Sequence, residues 1–493
     1  MLNAFLTGAS VKGLPIKDGW YLEASWQKNN QNEAASVIGT TQQDSSTPTT
    51  AMWVHRDNSG NACYVNVNTS DGSIASQYRI NSGTPSSIAD PAALGPNGSS
   101  TYVSVWDNPT SNNRFALYTL DTSGTFYQRN TSNWGYAISF YPFTLWHVPD
   151  STNYKYQIYC GSHESGYSSG YEFVNTSKYH NSTGTKFGFR ADTAGGAYSR
   201  HADIYHDGTY LYNAVMYNAS ASGAVYWYYR AMPDNVSSIS QVGNRITLYQ
   251  PNVYGYNFPR FTINPHYSSA LFAANNIGYV AEKAGYVTSQ TAGASSSTLN
   301  WCKKYAWTEN FTYDAIQPTL GVAIDDNGYG IAVYPVTNSS GYRCFAVIGF
   351  NAADGSLNYA YAIDASASGF HLQGDRTGNR GNSSSDRFKG ITRPSHNDDR
   401  EYFYLTNAYF TGSGYRSYVM KLPISNGLQA GFQFTGGIVL KVTDLTVTTT
   451  DRATASPSYS STTKTQYDRY YFNGSASSTS VSNGYSASTL IGA

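Results

Sequence analysis

Charge is what this sequence has least of. Only 13% of its 493 residues are Asp, Glu, Lys or Arg, about half the usual quarter. The 31 basic and 31 acidic residues cancel. No basic excess points to a nucleic-acid partner, and no acidic excess points to a solvating disordered chain. Cysteine is also scarce. Cys63, Cys160, Cys302 and Cys344 lie far apart with no CxxC pair, which excludes a zinc ribbon or a dithiol redox site. Cys63 and Cys344 fall inside apolar strand-like runs and read as buried free thiols. No run approaches the ~18 apolar residues that a membrane helix needs. Residues 1–8 (MLNAFLTG) lack the basic start and apolar core of a signal peptide.

Tyrosine and glycine are abundant instead, at 45 residues each. Tyrosine packs its ring and keeps its hydroxyl wet, which suits wide half-buried sheets. Glycine in this number disfavours helices and supplies tight turns. Seven apolar strands recur at Ala51–Arg56, Thr101–Trp106, Tyr154–Tyr159, Tyr210–Asn218, Ser268–Asn275, Tyr329–Val336 and Glu401–Phe410. Their starts are spaced by 50, 53, 56, 58, 61 and 72 residues. The polar stretch 374–385 (GDRTGNRGNSSS) accounts for the longest interval. Hairpins follow several of these strands at Cys63–Ile80, Phe115–Asn130, Phe345–Ile363 and Tyr418–Phe434. Their turns are Asp71-Gly72, Ser123-Gly124, Asp354-Gly355 and Asn426-Gly427. Asp-Gly and Asn-Gly permit the positive φ of a tight hairpin. A further strand ending in an Asp/Asn turn precedes many units, as in residues 200–208 and 318–328.

Four antiparallel strands in about 50 residues correspond to one propeller blade. The expected fold is therefore all-β: a single β-propeller of seven four-stranded blades, with six or eight as the neighbouring counts. The propeller spans 34–436, and extended segments flank it. Residues 1–33 offer a closing strand at Trp20–Trp26, and 437–450 offer another. Residues 451–493 form a Ser/Thr/Tyr-rich arm, either loose or ordered against a neighbouring subunit.

No specific catalytic, metal or cofactor motif emerges. His201, Asp203, His206 and Asp207 form the densest metal-capable cluster. Strand alternation puts His201 and Asp203 on one face and His206 on the other, which is poor geometry for one ion. Asp325, Asp326 and Asn327 resemble the start of a calcium loop, but the later glutamate is missing, so a turn is the better account. The serines of GYSSG (166–170) do not form a nucleophile elbow. The sequence thus predicts no catalytic residue, no metal and no cofactor, and leaves the ligand-binding residues unassigned. Eight aromatics are candidates for stacking on sugars: Trp134, Tyr136, Trp227, Tyr254, Tyr256, Trp301, Trp307 and Tyr415.

The hairpins at Phe115 and Phe345 resemble the propeller repeats of tailed-phage virion structural proteins. Those repeats combine an apolar strand, an Asp/Ser-Gly turn and a strand bearing Trp and Arg. Here Tyr127 and Tyr359 occupy the usual Trp position, and Arg79 and Arg129 match the basic one. The resemblance implies a non-enzymatic tail-associated or capsid-surface subunit, located in the virion and present in many copies. Its partners would be other virion subunits and a host surface glycan, with no nucleic acid and no membrane insertion. Two rival functions are a cellular carbohydrate-binding lectin or adhesin and a polysaccharide-cleaving hydrolase or lyase.

Overall fold

A computed structural model describes backbone strands between Trp20 and Thr489. Side chains are described for 19–25, 50–55, 63–78, 283–291, 298–312, 321–373, 401–432 and 438–452, with a few between 262 and 274. The only described helix is one 3-10 turn, Ser366–Ser368. No helix among the described residues is long and apolar enough to cross a membrane, which says nothing of a β-barrel.

The chain is all-β, and a strand overlaps each of the seven recurring positions, the third as Gln157–Ser165 rather than Tyr154–Tyr159, whose first three residues lie outside the described residues. The expected closed ring of seven equal four-stranded blades is corrected. The strands group into sheets of five, five, three, two, five, nine and seven strands. The nine-stranded sheet merges two would-be blades, because Gly474–Ser480 pairs with both Ile74–Ile80 and Thr125–Asn133. The seven-stranded sheet is an open, curled half-barrel with six strands along its path and a seventh, Gly321–Ile324, beside Tyr329–Asn338. The physical reason lies in the ends of the chain. Strands after 438 join six of the seven sheets, and one of them fuses two sheets into one, so the strand counts become unequal.

Three expected hairpins pair as read, around Asp71-Gly72, Ser123-Gly124 and Asp354-Gly355, the turn residues of the second lying outside the described residues. Gly72 and Gly355 sit at φ +74 and +71 in their turns. The hairpin at Asn426-Gly427 does not form. Tyr415–Pro423 instead pairs with Tyr402–Phe410 on one side and with the distant Trp20–Ala24 on the other. The strand after Asn426-Gly427, Gly431–Phe434, pairs with Val439–Asp444.

The core explains why strands such as Arg343–Asn351 (RCFAVIGFN) read as unbroken apolar runs. Both faces of their sheet are buried. One face places Ile331, Val333, Phe345, Val347 and Ile363 against Phe403, Leu405, Met420 and Leu422. The other places Ala332, Tyr334, Ala346 and Ile348 against Phe272, Val287, Trp301 and Tyr305. Burying each large apolar side chain contributes about 1.5–3 kcal/mol. Cys63 and Cys344 are buried and form no disulfide, as their apolar surroundings suggested.

Neighbouring sheets are also locked by aromatic side chains set on hairpin turns and, in one case, on the loop 424–430. Trp20 donates its indole N–H to the Thr69 carbonyl at 2.9 Å. Trp301 donates to the Ala352 carbonyl at 3.1 Å, and Tyr305 to the Gly355 carbonyl at 2.7 Å. Tyr359 donates to the Ile424 carbonyl. In each case a glycine makes room: a Cβ at Gly72, Gly355 or Gly427 would stand 2.8, 2.6 and 2.8 Å from the nearest neighbouring atom, a ring carbon of Trp20, Cγ of Lys303 and a ring carbon of Tyr359 respectively.

Candidate functional site

Three short segments meet at the end of the Tyr402–Phe410 strand. The first is the turn between Tyr329–Asn338 and Arg343–Asn351. Asn338 fixes it by accepting the N–H groups of Ser340 and Tyr342 at 3.0 and 2.9 Å. Gly341 supplies φ +83. The second segment runs from Asp364 to Gln373. Asp364 accepts the Ser366 N–H at 2.9 Å just before the single 3-10 turn. Gly369, at φ +71, then reverses the chain. His371 therefore returns as a short antiparallel partner of Phe410. Its N–H donates to the Phe410 carbonyl at 3.3 Å, and the Phe410 N–H donates back at 2.9 Å. The third segment is the turn 411–414, closed by Thr411 N–H to the Gly414 carbonyl at 2.9 Å with Gly412 at φ +88.

These turns bring four rings into one row. Ring centroids step from Tyr342 to His371 at 5.1 Å, to Phe410 at 6.2 Å and to Tyr415 at 4.9 Å. Tyr342, His371 and Phe410 are half-buried, and Tyr415 is 9% exposed. His371 is oriented by its backbone ladder and by Nδ1, which accepts the Arg343 N–H at 3.1 Å. The neutral ring therefore carries its proton on Nε2.

Alternation sends Tyr409 and Arg416 to the opposite face of the same hairpin, where they are cross-strand partners. There Glu23 is 2% exposed. It accepts the Tyr21 hydroxyl at 2.6 Å and faces the Arg416 guanidinium at 3.8 Å. Burial pushes the Glu23 carboxyl up, against the hydrogen bonds from Tyr21 and Tyr409 and the Arg416 charge, which pull it down. Burial also holds the Tyr21 hydroxyl well above its usual range.

Other carboxylates serve turns. Asp71 is held below its usual value by the Ser73 hydroxyl and N–H, and Asp354 by the Ser356 N–H and hydroxyl. Asp325, from the resemblance to a calcium loop, is fully buried. Its Oδ1 accepts the N–H groups of Asn327 and Tyr329 at 2.9 and 2.7 Å, so it forms the turn that its neighbours suggested. Burial pushes its carboxyl up to about 6. No group of three His, Cys, Asp or Glu side chains among the described residues could hold a metal ion.

The sequence-derived sugar-stacking candidates separate clearly. Trp301 and Trp307 are 8% and 3% exposed and donate to backbone carbonyls, so both are structural. Tyr415 belongs to the ring row. The side chains of Trp134, Tyr136, Trp227, Tyr254 and Tyr256 lie outside the described residues, as do those of His201, Asp203, His206 and Asp207. The strand at His201 carries a bulge between His201 and Asp203, which interrupts the alternation assumed for that cluster. Tyr342, His371, Phe410 and Glu23 were missed. The first three lie far apart in sequence, and the periodicity of Trp20–Ala24 gave no sign that Glu23 would be covered on its polar side.

No family model matches this chain, and no curated protein matches it. Among solved structures it is similar to prolyl oligopeptidase B from Galerina marginata, a mutant bound to a 25mer macrocyclization substrate. Identity is 8% and the TM-score 0.28, over 77% of this chain and 48% of that one. The chain thus spans about half of the protein it matches. The resemblance to tailed-phage virion proteins, and the structural or adhesion role in a virion drawn from it, are corrected. The regular blade array that carried them is replaced by unequal sheets, and no family model or curated protein supports them.

Proposed function

We propose that this chain is a non-enzymatic binding protein that takes carbohydrate on the half-buried rings of Tyr342, His371 and Phe410, with the buried Tyr415 packed against Phe410. The observation that carries this reading is the row itself. Four rings spaced 4.9 to 6.2 Å apart are fixed by backbone hydrogen bonds from three turns. Aromatic faces set before binding cost little further side-chain entropy. They suit the apolar C–H faces of successive sugar rings. Turn-borne residues on a rigid scaffold are common binding elements.

The non-enzymatic part draws on where, among the described residues, the carboxylates with raised pKa values sit. Glu23 and Asp325 have the upward shift that a general acid needs, yet both are closed to a substrate at 2% and 0% exposure. The test is a glycan array followed by calorimetry with the neutral oligosaccharides that score. Saturable binding with no change in the sugar supports the reading. Absence of binding across the array, or release of shorter sugars, refutes it.

A further inference from the structure

The last 55 residues revisit the sheets in the reverse of their order along the chain. Val439–Asp444 adds to Leu357–Asp364, and Val447–Asp451 adds to Leu299–Trp307. Tyr459–Thr462 then adds to Val242–Ile246, and Gln466–Tyr467 to Lys186–Asp192. Gly474–Ser480 joins Thr125–Asn133 to Ile74–Ile80, and Tyr485–Thr489 adds to Trp20–Ala24. Every pairing is antiparallel.

The grip on this strap weakens along its length. Its first strand is part of the core, with Leu440 at 0% and Val442 at 2% exposure. The second strand exposes Thr448, Thr450 and Asp451. Later strands read YSST, QY, GSASSTS and YSAST, with no aliphatic side chain larger than alanine. The later strands pair over short registers of two to five residues, and each backbone hydrogen bond is worth only about 0.5–1.5 kcal/mol net. Backbone pairing reads no side-chain identity, so the same edges accept the same strands equally well from another molecule. A terminal segment can also leave without threading the rest of the chain. Exchange of an identical element is a low-cost route to association.

We propose that the strap from Tyr459 onward is exchanged between copies of this chain. The strands of one molecule pair with the vacated sheet edges of another, and the protein self-associates by strand donation. The choice between own and foreign strap is then set by effective against actual concentration.

The test uses full-length chains. Thr125 and Ser477 are cross-strand partners at the join between Thr125–Asn133 and Gly474–Ser480. One preparation carries Thr125→Cys and another Ser477→Cys, and they are mixed at high concentration and then oxidised. Exchange predicts a disulfide-linked heterodimer that is absent when either variant is oxidised alone. It predicts that the heterodimer increases with concentration and time of mixing. The double variant Thr125→Cys/Ser477→Cys, oxidised when dilute, should close within one chain. A double variant that closes while the mixture yields no heterodimer above the single-variant background overturns the proposal. A double variant that fails to close removes the strand pairing itself and overturns it too.

Discussion

The ring of Trp301 lies against Gly355, its Cε3 only 2.8 Å from where a Cβ would stand, while the indole N–H reaches the Ala352 carbonyl of the same turn. One glycine thus serves a hairpin in one sheet and an aromatic lock from the next. Gly355 is also at φ +71. Gly355→Ala should therefore lose about 1–2 kcal/mol to backbone strain and about 1–3 kcal/mol to overpacking. Gly341 is the control: its φ is +83, but nothing lies within 4 Å of an added Cβ. Gly341→Ala should lose the strain alone. Urea unfolding of the two variants separates the contributions, and equal losses would remove the Trp301 contact from the account.

Asp325 should give the protein a stability slope of unusual sign for a carboxylate. Its pKa rises from 3.8 to about 6 on folding. The folded chain therefore keeps a proton that the unfolded chain releases. Stability from this group is fully present below the unfolded value and is lost as pH rises through about 6. Asp325→Asn retains an Oδ1 acceptor for the N–H groups of Asn327 and Tyr329 and carries no charge. Its unfolding midpoint should match the wild type near the unfolded value and exceed it at neutral pH. A gap that does not change with pH would refute the buried-charge account.

The ring row makes a graded binding prediction. Phe410 is central, with ring neighbours on both sides. A ring contact is worth about 0.5–1.5 kcal/mol, so Phe410→Ala should weaken sugar binding toward the upper end of a roughly two- to twelvefold range. Tyr342→Ala, at one end of the row, should weaken it by a few fold. Calorimetry and thermal unfolding, run together, distinguish lost binding from lost folding. Unchanged affinity in Phe410→Ala would exclude this site.

The strap should show its weakening grip in stability. Leu440 is fully buried, and Leu440→Ala should cost about 2–5 kcal/mol. Asp451 pairs with Lys303 at 2.6 Å, but its side chain is 82% exposed. Asp451→Ala should cost no more than about 1 kcal/mol. Comparable losses in denaturant unfolding would contradict an anchored start and a loosely held continuation.

How much of this was legible beforehand differs from residue to residue. Local chemistry located the strands. Alternating apolar residues with Asp71-Gly72 and Asp354-Gly355 between them specify hairpins without help from the rest of the chain, because only a positive φ closes such a turn. Asn426-Gly427 carries the same local signal, yet no hairpin follows. The edge it would have used is taken by Trp20–Ala24, about 400 residues earlier. Which strand wins an edge depends on the whole set of competing strands.

The ring row was hidden for the same reason. Tyr342, His371 and Phe410 sit in three separate segments, brought together by the ladder between His371 and Phe410 and by the bonds of Arg343 to His371 and Leu372. Glu23 looks from its sequence like an ordinary polar residue of an edge strand. Tyr21, Tyr409 and Arg416 cover it only once the sheet has assembled. The sequence by itself determined the all-β character, the strand positions and the glycine turns, since these follow from period and backbone freedom over a few residues. The tertiary structure alone decided which strands share a sheet, where the terminal strap runs and which rings meet. Those outcomes depend on edges and faces supplied by distant parts of the chain.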